Sequence, residues 1–159
     1  MESINTLQSI LEQQNLVAAE LLDQGEKELE ALKTTDLEAL QRIMDRQRIL
    51  GASLAKLEQT RLKLQAGLSR DFSLPDNFCL RDLAERGIPG SQEIIPLGKA
   101  LADNYEKLRE LNETNNLLIR QSLGLLNRLT GLFAAQDITY GRSGRIDGIS
   151  QSAGLDKSV

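Results

Sequence analysis

Histidine and tryptophan are absent from this sequence, cysteine occurs once, and aromatic residues make up 3% of it. Without histidine, the usual general base and the commonest metal ligand are missing. A lone Cys79 can form no intramolecular disulfide and no cysteine-rich metal site. So few aromatic residues argue against a sheet-rich core. The three prolines, Pro75, Pro89 and Pro96, fall in one short region, so the rest of the chain is free of helix breakers of that kind. No apolar run approaches the roughly 20 residues needed to cross a bilayer, so no direct membrane insertion is expected. The opening residues Met1-Glu2-Ser3-Ile4-Asn5 lack a basic stretch followed by an apolar core, so no secretory signal is expected there, and the location read from the sequence is cytoplasmic. A net charge of −4 disfavours nucleic acid as a partner.

What is present are helix formers: Leu, Ala, Glu, Gln, Lys and Arg. The fold expected is all-α: an elongated antiparallel helical bundle or coiled coil of three long helices, with one short helix before the last and a flexible C-terminal tail. The helices are placed at about 3–33, 36–69, 78–86 and 92–135. They form one bundle domain over 1–136, followed by a glycine- and serine-rich tail over 137–159.

The first helix carries Ile4, Leu7, Leu11, Val17, Ala18, Leu21, Leu22, Leu29 and Leu32 as its apolar stripe, with Gln14 and Gly25 as weak points; Ser3 suits the N-cap, and Ile4 or Asn5 could begin the turn equally well. Its net charge is −5 from Glu2 to Lys33. Thr35 with Glu38 reads as a capping box, Asp36 also suiting a helix start. The second helix has the stripe Leu37, Leu40, Met44, Leu50, Leu54, Leu57, Leu64 and Leu68 and a net charge of +3 over 36–70. An acidic helix joined to a basic one by a tight turn favours an antiparallel hairpin. Phe78, Leu80 and Leu83 are expected to face inward from the short helix, with Gly87 as its left-handed terminator and Cys79 as a small apolar filler. Pro96 is acceptable if it falls in the first turn of the last helix.

The last helix holds the main functional clue. Leu101, Asn104, Leu108, Leu111, Asn115, Leu118, Ser122, Leu125, Leu129 and Leu132 recur at steps of four and three, a heptad-like seam. A second row, Ile119, Leu123, Leu126 and Phe133, lies beside it, so the apolar face widens after Leu118. A narrow seam needs one partner helix; a wide face needs two, or leaves surface for something else to cover. Asn104 and Asn115 read as buried polar residues that fix register. For Ser122, register and partner contact stand as equal alternatives. Tyr140 lies beyond the helical pattern and either contacts a partner or packs back on the helix end. No catalytic, cofactor-binding or metal residues are assigned: carboxylates are the acid–base groups left, and they are spread over helix surfaces without pairing.

The run Asn112-Glu113-Thr114-Asn115-Asn116-Leu117-Leu118-Ile119-Arg120-Gln121-Ser122-Leu123, then Leu126-Asn127-Arg128-Leu129, then Thr139-Tyr140-Gly141-Arg142-Ser143-Gly144, resembles the C-terminal signature of FlgN-type flagellar export chaperones. The resemblance implies a type III secretion chaperone for hook-associated (hook–filament junction) proteins. Such a chaperone would hold the C-terminal helical segment of an unassembled client and deliver it to the flagellar export gate and ATPase complex. By that resemblance Asn112, Asn116, Leu118, Ile119, Ser122, Leu123 and Leu126 line or support the client site, and Tyr140 and Gly141 match the distal motif. Phe133 joins them from the widened face. The alternative is a structural coiled-coil protein that uses the same face to form a homo-oligomer.

Overall fold

The computed structural model describes residues 2–139, and its elements are four helices: α1 (Glu2–Thr34), α2 (Leu37–Asp71), α3 (Leu80–Glu85) and α4 (Ser91–Thr139). The fold is all-α. The chain divides into two compact units, Met1–Asn116 and Leu117–Val159. The expected tail from 140 onward lies outside the described residues.

Within the first unit α1 and α2 form an antiparallel hairpin. Gln14 donates to Glu58, and Gln47 donates to Glu28, so rising numbers on one helix meet falling numbers on the other. Arg46 pairs with Glu20 across the same interface. α4 follows α1 in the same direction: Asn15 Nδ2 reaches the Leu97 carbonyl at 3.0 Å and Asn115 Nδ2 the Gly25 carbonyl at 3.0 Å.

The hydrophobic core gathers where the start of α1, the end of α2, the connector and the start of α4 meet. Ile4, Leu7 and Leu11 pack there with Leu68, Leu74, Phe78, Leu83, Ile88, Ile94 and Leu101. Two glycines admit close packing. At Gly98 a Cβ would collide with Leu80 Cδ1, and at Gly90, whose φ is +80°, one would lie 3.2 Å from Ile4 Cγ2. The first seats α3 against α4; the second lets the chain turn tightly over the start of α1.

Several local expectations are corrected. α1 already includes Glu2, so Ser3 is a helical residue and not the cap. Asp36, not Thr35, caps α2: its side chain accepts from Ala39 N–H at 2.9 Å, while Thr35 takes a left-handed φ of 56° to make the turn. A carboxylate one residue closer to the free N–H groups serves them better than the threonine hydroxyl. Cys79 is exposed and not a core filler; it begins α3, and its N–H donates to Asp82 at 2.7 Å. Leu37 and Met44 face outward, at 73% and 58% exposure, while Ile43, outside the expected stripe, is buried along with Leu50 and Leu68 of that stripe. Pro96 sits in the second turn of α4, so the Gln92 carbonyl loses its intrahelical donor. Phe78 and Leu83 are buried and Leu80 is partly buried, as the sequence indicates, and Gly87 has a φ of 68° just after α3.

Candidate partner-binding face

The second unit begins inside α4, where the leucine pattern becomes dense. Leu117, Leu123, Leu125, Leu126, Leu129 and Leu132 are all exposed large hydrophobic side chains. Leu123 and Leu126, at 54% and 58%, are far from enclosed. Leu118, Ile119 and Gly124 are partly buried. Arg120 and Arg128 are the charged residues between Leu117 and Leu132, and no acid lies among them. The polar side chains here bond to their own helix: Thr130 Oγ1 donates to the Leu126 carbonyl at 2.9 Å and Arg128 Nε to the Gly124 carbonyl at 3.3 Å. The described part of this unit thus presents a leucine-rich surface to solvent.

The residues singled out from the sequence fall into three groups. Leu118 and Ile119 lie half-buried on this helix, and Ser122, Leu123 and Leu126 lie exposed on it. Asn112 and Asn116 are exposed and belong to the first unit. Tyr140 and Gly141 lie outside the described residues, as does the side chain of Phe133. Four leucines that sequence reading left out of the site, Leu117, Leu125, Leu129 and Leu132, are exposed too. The seam itself carried the signal for three of them, since Leu125, Leu129 and Leu132 continue a row whose earlier members are covered.

The asparagines of the seam behave as register residues. Asn115 is buried, and its Nδ2 donates to the Gly25 carbonyl and, at 3.1 Å, to Glu28 Oε2. Asn104 Nδ2 donates to Asn15 Oδ1 at 3.1 Å. The two weak points of the α1 stripe are where these bonds pass. Gly25 leaves a gap that Leu111 fills, and buried Gln14 donates to Glu58 at 2.9 Å. Glu58 is held by Arg61, whose Nε lies 2.8 Å from Glu58 Oε2. That hydrogen bond lowers the Glu58 carboxyl below its ordinary range and raises the Arg61 guanidinium, while burial lifts the Tyr105 phenol nearby. This cluster ties α1 to α2 through the Gln14 amide N–H and Glu58, while the buried Gln14 Oε1 is left without a partner among the described residues. Among the described residues no group of three or more metal-ligating side chains is brought together, and no helix is long and apolar enough to cross a membrane.

The sequence gives no match among curated proteins or solved structures. A family model described as FlgN protein matches residues 1–148, nearly the whole chain. The chain therefore belongs to the FlgN family of flagellar export chaperones.

Proposed function

We propose that this protein is a cytoplasmic, non-enzymatic chaperone that holds the C-terminal helical region of unassembled flagellar hook-associated proteins. It prevents their premature association and delivers them to the flagellar type III export apparatus. The client helix lies along the α4 face that includes Leu118, Ile119, Ser122, Leu123 and Leu126, extended by Leu125, Leu129 and Leu132. Asn112, Asn116, Phe133, Tyr140 and Gly141 are assigned to the client site on the strength of the sequence alone. Residues 1–116 form a unit with its own core, and the face belongs to the part of α4 that follows.

The observation that carries this reading is the row of half-exposed leucines from Leu117 to Leu132. A client whose terminal helices later pack into a filament presents its own apolar face beforehand. Helix-in-groove recognition joins the two. Covering the exposed half of each of six leucines, together with an equal apolar area on the client, would contribute about 12 kcal/mol before association costs of about 4 kcal/mol or more are subtracted. The modest remainder suits a complex that must later release its client.

The test is binding of the full chain to C-terminal peptides of hook-associated proteins. Binding in the micromolar range is expected, with Leu123→Asp and Leu126→Asp abolishing it while circular dichroism keeps its helical signal. Absence of binding by a folded sample at tens of micromolar overturns the proposal. A closed oligomer seen by sedimentation, stable at all concentrations and unable to take the peptide, would mark the face as a self-association surface instead.

A further inference from the structure

α2 carries a second exposed seam that neither the hairpin nor the α4 face uses. Leu37, Met44, Gly51, Ala55 and Leu62 follow one another at steps of seven, seven, four and seven, which keeps them on one side of the helix. All five are exposed, Leu62 at 51%, while the core side of α2 presents Ile43, Leu50 and Leu68. A side chain added at Gly51 would meet nothing within 4 Å, so another helix could approach closely there.

Charge along this seam has one sign in its second half. Lys56, Lys63 and Arg70 recur every seven residues beside Ala55 and Leu62, all exposed. Among the described residues none of the three joins an ion pair, whereas Glu38 and Asp45 of the first half are occupied by Arg42 and Arg48. Glu58, the one acid between Arg46 and Arg70, is engaged by Arg61 and Gln14. A partner helix would therefore meet leucines flanked by unpaired cations.

The described apolar faces of this chain do not complement it. A second α2 would set cations against cations when parallel, and against acids already paired with Arg42 and Arg48 when antiparallel. Among the described residues of α1, Leu16 is the exposed large hydrophobic side chain, too little for a seam. The leucine-rich part of α4 has Arg120 and Arg128 and no acid. We infer that the outer face of α2 docks an acidic amphipathic helix of another protein, its apolar row on Leu37, Met44 and Leu62 and its carboxylates against Lys56, Lys63 and Arg70. Complementary charges of this kind set orientation and association rate, and the leucine contacts supply most of the affinity. The inference is independent of client binding on α4.

The probe is a synthetic helical peptide of about four heptads, with leucine and alanine along one seam and glutamate flanking it; its control carries lysine in place of glutamate. Fluorescence anisotropy with the full chain should show binding of the acidic peptide, about tenfold or more tighter than the basic one and weakening as salt rises. Leu62→Glu and the triple change Lys56→Glu, Lys63→Glu, Arg70→Glu should each weaken it at least about tenfold, with helicity unchanged, and Leu123→Asp should leave it intact. Equal binding of the two peptides, or no binding of the acidic one, overturns the inference. So does binding that survives the triple change but is lost in Leu123→Asp. Concentration-dependent dimerisation removed by Leu62→Glu would overturn it as well, by assigning the face to a second copy.

Discussion

The two ends of α4 carry the same leucine spacing and meet opposite fates. From Leu101 to Asn115 the seam is covered: Leu101 and Asn115 are buried, and Asn104, Leu108 and Leu111 are partly so. From Ser122 to Leu132 the same row is exposed. The covered part faces partners placed by hydrogen bonds at Asn15, Gly25 and Glu28. The exposed part has local bonds within its own helix. A period of three and four identifies which face of a helix is apolar; it does not say whether anything covers that face.

Stability measurements break or sharpen this comparison most directly. Leu7→Ala or Leu83→Ala, at fully buried positions, should cost about 2–5 kcal/mol in chemical denaturation, while Leu125→Ala should stay within about 0.5 kcal/mol. An equally large loss at Leu125 would mean that the second stretch is covered in the free protein. Glycines divide the same way. Gly25→Ala places a Cβ 2.7 Å from Leu111 Cδ2 and should destabilise by about 1–3 kcal/mol. Gly124→Ala meets nothing within 4 Å and should stabilise, by up to about 1 kcal/mol, through helix propensity.

The polar residues of the seam give a smaller contrast. Asn115→Ala removes bonds to the Gly25 carbonyl and to Glu28, and should cost about 1–3 kcal/mol; Ser122→Ala, exposed, should be near neutral. The smallest effect is in acid. Arg61 holds the Glu58 carboxyl below its ordinary value of 4.5, so the folded state binds that proton more weakly than the unfolded chain. The resulting stability is present above the unfolded value and is lost as pH falls through the folded one. Glu58→Gln should flatten that part of the pH–stability curve, and an unchanged slope below 4.5 would remove Glu58 as its source.

Much of this was legible in the sequence. The helix count, the order of helix lengths and the inward residues of α3 follow from periodicity and punctuation. Asn104 and Asn115 declared themselves as polar residues at seam positions. The widening after Leu118 pointed to surplus apolar surface, and Leu123 and Leu126 are indeed far from enclosed. The misreading in α2 has a physical cause. Its leucines form two rows, one led by Ile43 and Leu50 and one by Leu37, Met44 and Leu62, and a single stripe drawn through both assigns some to the wrong side. Leu74 and Ile88 lie outside any periodic segment, so their burial is set by the path of the connector. Cys79 is exposed at the N-cap of the short helix, where its N–H donates to Asp82.

The placement of the core governs when the chain can close it. Ile4, at the start of α1, is covered only once the segment through Ile88, Gly90 and Ile94 has arrived, some ninety residues later. During synthesis the α1–α2 hairpin therefore emerges with one end unsealed. A nascent chain stalled soon after Asp71 should be open to proteolysis near Ile4, Leu7 and Leu68, and one extended past Leu101 should resist it.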